Sequence, residues 1–477
     1  MIRTTCLLLV LAMAAASQSR PIRVDAGKVA GRIRSFQGVN GGPAPLLPVA
    51  ADVTTQYRDL RIDIIRTHDI FGPTDIDARW SNPDPISKAV RASGANAIFP
   101  DWNADPEKES SYNFGPSDRV IGAIVESGAR VYYRVGRSWG ADPEPPADAA
   151  KFAGIVKHVA MHYNDGWAKG HHYDIRYWEI WNEPDMEANW FPGFAQPFWT
   201  GTPEQFYTLY ERVARALKEF DPNLKVGACG KAAANLPGPY REGLIRYCAT
   251  RKVPLDFFSW HHYHDRSPDP YEMVRLGSQI REILDAAGFT AAESHVTEWN
   301  MNLRMNNTGP LGQNSMNGAA FTAAALIYLQ DSKVDRAFYY RGDIGAMGLF
   351  EPGGAYRKKA YAYKAAGAML DTPQRLHVTG DDSRGFAVLA GRSTDGRKIQ
   401  VLLAHFVAPP AGEASPGDYM LSVDNLPWRN APFTVKRYRL DQESDLALAS
   451  EQTEKESLDL TGRLPSPGVE LIVIERQ

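Results

Sequence analysis

The chain of 477 residues carries three cysteines, Cys6, Cys229 and Cys248. That is too few for a disulfide framework, although a single Cys229–Cys248 bridge stays open. It also lacks an excess of either charge: 53 Lys and Arg face 56 Asp and Glu, for a formal net charge of -3. Nothing in that balance advertises a polyanion, so nucleic acid is not an expected partner. Apart from the N-terminus, no apolar run approaches the ~20 residues needed to cross a bilayer, and no membrane span is expected. Internal repeats and low-complexity tracts are missing too, which leaves little basis for an adhesion or scaffold array.

What is present begins with an export signal. Arg3 supplies a basic n-region, residues 6–14 an apolar h-region, and Ala14-Ala15-Ala16 a small-residue cleavage site. Residues 1–16 are therefore expected to be removed, with a secreted or periplasmic location. A short membrane anchor is the alternative, and the run is brief for one.

Hydrophobic content of 44% suits a large core, and 11% aromatic residues, including 11 Trp and 21 Tyr, suit a cleft with flat apolar faces. Apolar β-prone runs alternate with amphipathic segments along the chain. The pattern predicts strands at 36–40, 64–68, 131–135, 177–181, 225–227, 257–261, 294–298 and 336–340. Between them Thr202-Pro203-Glu204-Gln205 reads as a capping box, Ser117 as a helix cap with Gly128 closing that helix, and Gly288 as a helix end. Eight strand–helix pairs predict an α/β fold, a (β/α)₈ TIM barrel over residues 36–372, with a doubly wound open sheet as the alternative. From residue 373 to 477 short strand-like runs at 386–389, 399–405, 419–423, 433–439 and 469–474 predict a C-terminal all-β sandwich. Residues 17–35 contain the β-prone Ile22 to Val24 and are expected to pair with that sandwich.

In the predicted barrel, Asn182-Glu183-Pro184 follows the fourth strand and Thr297-Glu298-Trp299-Asn300 ends the seventh. Two carboxylates at opposite strand ends of one barrel mouth are the groups that glycoside hydrolysis needs, one to protonate the leaving oxygen and one to attack the anomeric carbon. With Arg66-Thr67-His68 on the second strand, and His261 and Tyr263 after the sixth, the pattern resembles the retaining clan A glycoside hydrolases. Within that clan it is most similar to family 39, which holds β-xylosidases and α-L-iduronidases. The resemblance implies Glu183 as acid/base, Glu298 as nucleophile and Asn182 as donor to the sugar 2-hydroxyl. It also implies a β-xylosidase-like exo-glycosidase with an oligo- or polysaccharide substrate. Alternatives are a uronide-specific, other pentoside or endo-acting glycosidase, and a non-catalytic carbohydrate-binding barrel.

His68, Asp69, His261, Tyr263, Trp299 and Arg341 are further candidate substrate contacts. Asp69 stands where family β-xylosidases commonly have glycine. Arg134, Arg137 and Arg341 leave a uronate open, with structural ion pairs as the other reading and Asp343 as the expected partner of Arg341. Three histidines in "SWHHYHD" suggest a metal, but strand alternation puts His261 and Tyr263 on one face and His262 and His264 on the other. Neither a metal nor a cofactor is expected, and His171 and His172 read as solvated loop residues. The sequence leaves the oligomeric state open.

Overall fold

A computed structural model describes residues 19–44, 51–81, 85–94, 96–186, 197–264, 267–302, 312–408, 417–428 and 431–477. The segment read as an export signal lies outside them. The first strand, β1 (Arg20–Arg32), does not join the barrel. The next eight, β2 (Gly38–Asn40), β3 (Ile64–Arg66), β4 (Arg130–Val135), β5 (Tyr177–Ile180), β6 (Lys225–Lys231), β7 (Phe257–Tyr263), β8 (Glu293–Asn300) and β9 (Arg336–Tyr339), close into a barrel in sequence order. Every pairing is parallel, including the β2–β9 closure. This is the (β/α)₈ fold that the periodicity predicts.

Helices α1 (Thr54–Asp59), α2 (Pro85–Ser93), α3 (Phe114–Glu126), α4 (Ala149–Asn164), α5 (Pro203–Phe220), α6 (Leu244–Arg251), α7 (Glu272–Ala286), α8 (Met316–Tyr328) and α9 (Lys358–Ala368) surround the barrel, with α2 an addition between β3 and α3. The capping box at Thr202 and Gln205 is formed at the start of α5. Ser117 is not a cap: α3 begins after Asn113, and the Ser117 hydroxyl donates to the Phe114 carbonyl inside the helix at 2.9 Å. The Phe114 ring, at the first position of the helix, stacks on His162 with 3.6 Å between centroids.

Inside the barrel the strand period of two builds layers. Ile64, Tyr132, Tyr177, Phe257 and Phe338 pack as one apolar group. Two residues further along three of these strands stand Arg66, Arg134 and Glu179, all fully buried. The interior therefore changes from aromatic to charged on the way to the mouth.

The remaining strands, β10 (Gln374–Thr379), β11 (Phe386–Arg392), β12 (Lys398–His405), β13 (Asp418–Asp424), β14 (Phe433–Leu440), β15 (Asp445–Glu454), β16 (Leu458–Arg463) and β17 (Gly468–Arg476), form with β1 a sheet of order β15-β14-β17-β12-β11-β10-β1-β13-β16. Its two halves share one apolar core, with Leu421, Leu458 and Leu460 packed in the same cluster as Val401, Val435 and Ile474, so the sheet folds over as a sandwich. β1 lies antiparallel to β10 and parallel to β13. Alternation along β12 sends Ile399, Val401 and Leu403 into that core and Leu402 and Ala404 into the barrel's core. Against this second face packs α8, "MNGAAFTAAALIY", buried at every residue because it has the barrel on one side and β11, β12 and β17 on the other. Cys229 and Cys248 are both buried and free, with no bridge between them.

Candidate active site

The apolar run of β5 ends at Ile180, and the chain then turns sharply. Trp181 and Glu183 both have left-handed φ, 74° and 44°. Such backbone costs on the order of 1–3 kcal/mol per residue and persists only where its surroundings enforce it. Here the Trp181 amide donates to Val135, its indole donates to Phe198, and the Glu183 amide donates to the carbonyls of Cys229 and Gly230 at 3.0 and 3.1 Å. The turn brings the Glu183 carboxylate over the barrel, where Oε1 lies 2.6 Å from His261 Nδ1.

Glu298 approaches from β8. Its Oε2 accepts from the Tyr263 hydroxyl at 2.6 Å and its Oε1 from Arg66 at 2.8 Å, while His68 Nε2 stands 3.3 Å away. One oxygen of Glu183, one nitrogen of His261 and one oxygen of Glu298 lie within 4.8 Å of one another. These groups could also hold a cation, although Arg66 already brings positive charge to Glu298.

Arg66 is the hub of the site. Fully buried, it donates to Glu179 at 2.5 Å, Glu298 at 2.8 Å, Asn40 at 3.0 Å and Asn182 at 2.6 Å. Burial disfavours its charge, but Glu179 and Glu298 outweigh burial and hold its pKa above the ordinary value. A guanidinium only donates, so the Asn182 oxygen must face Arg66 and its amide nitrogen must face away. That nitrogen is buried and has no partner among the described residues, and the same holds for His261 Nε2. Gly230 makes room beside both: its φ is +57°, and a Cβ there would sit 2.9 Å from His261 Nε2 and 3.1 Å from the Asn182 oxygen.

Burial raises both carboxyl groups. Glu183 is pushed well above the usual range, with Asp185 adding to the effect. Burial raises Glu298 too, with the Arg66 guanidinium and the Tyr263 hydroxyl working against the rise. The two are close enough to titrate as a pair, with the stronger upward push on Glu183. His261 is lowered to about 4 by burial and is neutral at neutral pH.

The sequence profile of Glycosyl hydrolases family 39 matches residues 98–341. A crystal structure of a glucosidase from Croceicoccus marinus is 32% identical, covers 96% of this chain and 100% of its own, and superposes with a TM-score of 0.81. The chain belongs to glycosyl hydrolases family 39. A β-xylosidase from Geobacillus stearothermophilus is 25% identical over 233 residues, 43% of this chain and 44% of that protein. The chain matches less than half the length of its curated relatives. The fold is also that of a monomeric β-xylosidase from Caulobacter crescentus, at 17% identity, a TM-score of 0.72 and coverage of 96% of this chain and 100% of that one.

Within this family 39 protein, Trp299 lies one residue beyond Glu298 on β8. It is fully buried in the barrel's outer core, its ring 5.0 Å from Tyr339. Neighbouring residues of a strand face opposite ways, so a chain that aims Glu298 inward turns Trp299 toward the helices. His68 accepts a hydrogen bond from Arg134 at Nδ1, which puts its ring hydrogen on Nε2, toward Glu298. Asp69 is committed to bracing loops: one oxygen accepts from the Trp139 amide and the other from the Tyr340 hydroxyl, both at 2.8 Å. Arg341 is held in a fork by Asp343, at 2.9 and 2.6 Å. Arg134 and Arg137 pair with Asp75 and Asp77.

His262 and His264 face each other at 3.1 Å on the side of β7 away from Glu183. His171 is not a freely solvated loop residue, since its ring stacks on Tyr173 at 4.5 Å and its Nε2 lies 3.5 Å from Asp118; His172 is exposed. Sequence reasoning passed over Glu179, Asn40 and the hub role of Arg66. The available signal was a charge inside each of two apolar strands, "IIR" and "YWEI", since a buried charge needs a partner.

Proposed function

We propose that this chain is an exported retaining exo-glycosidase that removes neutral xylosyl units by double displacement. One observation carries the reading: two buried carboxyl groups with an oxygen of each within 4.8 Å, one of them held by Arg66 and Tyr263 and the other by His261. Retaining glycosidases hold their carboxyl groups about 5–5.5 Å apart, whereas inverting ones need roughly 6.5–9.5 Å to admit water, and an oxygen-to-oxygen approach this near supports the retaining arrangement.

In the first step Glu298 attacks the anomeric carbon as Glu183 gives its proton to the departing oxygen. The unpartnered Asn182 amide donates to the ring's 2-hydroxyl, a contact that strengthens as positive charge builds at the anomeric carbon. Esterification removes the negative charge of Glu298, so the pKa of Glu183 falls and it can take a proton from the water that cleaves the ester. Neutral His261 keeps Glu183 oriented through both steps.

The sugar is read as neutral because Asp343 already balances Arg341, so this arginine is not a spare cation for a uronate. Xylose follows the curated relatives, which are β-xylosidases. The Croceicoccus glucosidase, similar along the whole chain, supports a glucoside as the second reading. Export rests on the residues 1–16 pattern. The deciding experiment compares kcat/KM on matched aryl xyloside, glucoside and uronide, with the first-formed anomer followed by NMR. The xyloside is expected to lead with retained configuration. An inverted first product would sink the double displacement. A uronide preference lost in Arg341→Ala would overturn the neutral sugar.

A further inference from the structure

Metal-binding side chains also meet away from the barrel mouth. Asp118 on α3, His162 near the end of α4 and His171 in the segment leading to β5 bring one carboxylate oxygen and two ring nitrogens within 4.8 Å of one another. His162 Nε2 lies 3.0 Å from Asp118 Oδ1, and His171 Nε2 lies 3.5 Å from that same oxygen. A tetrahedral ion with bonds of 2.0–2.1 Å sets its ligand atoms about 3.3 Å apart, and the two spacings bracket that value.

The hydrogen bonding of His162 points the same way. Its Nδ1 is 2.8 Å from the Trp167 carbonyl, which can only accept, so Nδ1 carries the hydrogen and a neutral ring offers its lone pair at Nε2. Metal-ligating imidazoles are oriented by such a bond. The lone pair then faces a carboxylate oxygen, and two acceptors at this distance need a proton or a metal ion between them. A proton alone would give no role to the second imidazole aimed at the same oxygen.

The groups are held in advance. The His162 ring lies flat against Phe114 and the His171 ring against Tyr173. At Gly170 the chain passes so close that a Cβ would meet the His162 carbonyl at 2.0 Å and its Nδ1 at 2.6 Å. Asp118 and His171 each keep 31% of their side chains exposed, which leaves an approach for the ion and a position for water. We propose that Asp118, His162 and His171 form a site for a divalent cation of the Zn²⁺ type, completed by one water, that ties α3 and α4 to the segment entering β5.

The test uses the full chain, stripped with a chelator and titrated with Co²⁺ and then Zn²⁺. Expected are one saturable Co²⁺ site with the visible absorption of a four-coordinate ion, displacement by Zn²⁺, and a Tm raised by Zn²⁺. His171→Ala, at a partly exposed position, is expected to lose the absorption and weaken binding more than the roughly 10- to 100-fold cost of losing a ligand's supporting partner. Asp118→Asn should do the same, with circular dichroism confirming the fold of both variants. Ions held by Glu183, His261 and Glu298 would be indifferent to His171, so unchanged binding in His171→Ala overturns the proposal. Absence of saturable binding in the wild type overturns it as well, and makes the Asp118–His162 contact an ion pair.

Discussion

The sandwich and the barrel each bury carboxylates, and they surround them in opposite ways. Glu470 on β17 is fully buried, and it meets Arg437 at 2.6 Å, Arg439 at 3.4 Å and the Tyr419 hydroxyl at 3.0 Å. Two cations and a hydroxyl leave that carboxylate little to ask of a ligand. At the barrel mouth one guanidinium, Arg66, is divided between Glu179 and Glu298, while Glu183 has a neutral imidazole as its neighbour. Beside them an amide nitrogen and a ring nitrogen have no partner among the described residues. A compensated buried charge holds a fold together, and an under-compensated one is a site whose missing interactions arrive with substrate.

Breaking the under-compensated side should cost activity and spare the fold. Glu298→Ala is expected to lower kcat by at least about four orders of magnitude, with a wild-type circular dichroism spectrum. Azide should restore turnover and yield the inverted glycosyl azide, and ordinary hydrolysis by this variant would contradict the role of Glu298. Glu183→Gln should cost roughly 10²–10⁴-fold on substrates with poor leaving groups. Activated aryl glycosides should still form the ester and then stall, seen as a burst; an equal loss on both substrate types would mark Glu183 as structural.

Breaking the compensated side should do the reverse. Glu470→Ala strands two arginines and is expected to cost about 3–5 kcal/mol in urea unfolding, with kcat unchanged in what remains folded.

The smallest effect sharpens the contrast through pH. The pKa of Glu183 is raised above its ordinary 4.5 in the folded state, so its ionisation opposes folding as pH climbs. The stability that a protonated Glu183 lends is whole below about 4.5 and is lost as pH passes through the raised value. Glu183→Gln should therefore melt higher than wild type at neutral pH, and the gap should close toward pH 4.5. A gap that widened in acid would contradict the assignment.

The barrel was legible because its strands are short apolar runs buried on both faces and separated by amphipathic helices, a contrast that survives in one dimension. The strand β15 was not, since nearly all its residues are exposed and no alternation marks them. Glu183 and Glu298 could be singled out because each follows an apolar strand. Which way Trp299 faces is harder to read from sequence, because its direction depends on the alternation of β8 relative to Glu298. The part played by Arg66 depends on four partners drawn from β2, β5, the turn after β5 and β8, and no local pattern encodes such a meeting.

The position of β1 between β10 and β13 has a consequence in time. Arg20 donates to the Gly380 carbonyl across 360 residues of chain, so β1 must wait for neighbours that are made long after it. Loop closure over such a span is slow, and until it happens β1 carries unpaired edges on both sides. Ile22, Val24 and Ala26, which end in the sandwich core, must meanwhile stay clear of other chains. On the opposite face Arg23 is exposed and Asp25 half-buried, and the exposed Lys28 and Arg32 follow, so this early strand is not apolar on both faces while it waits.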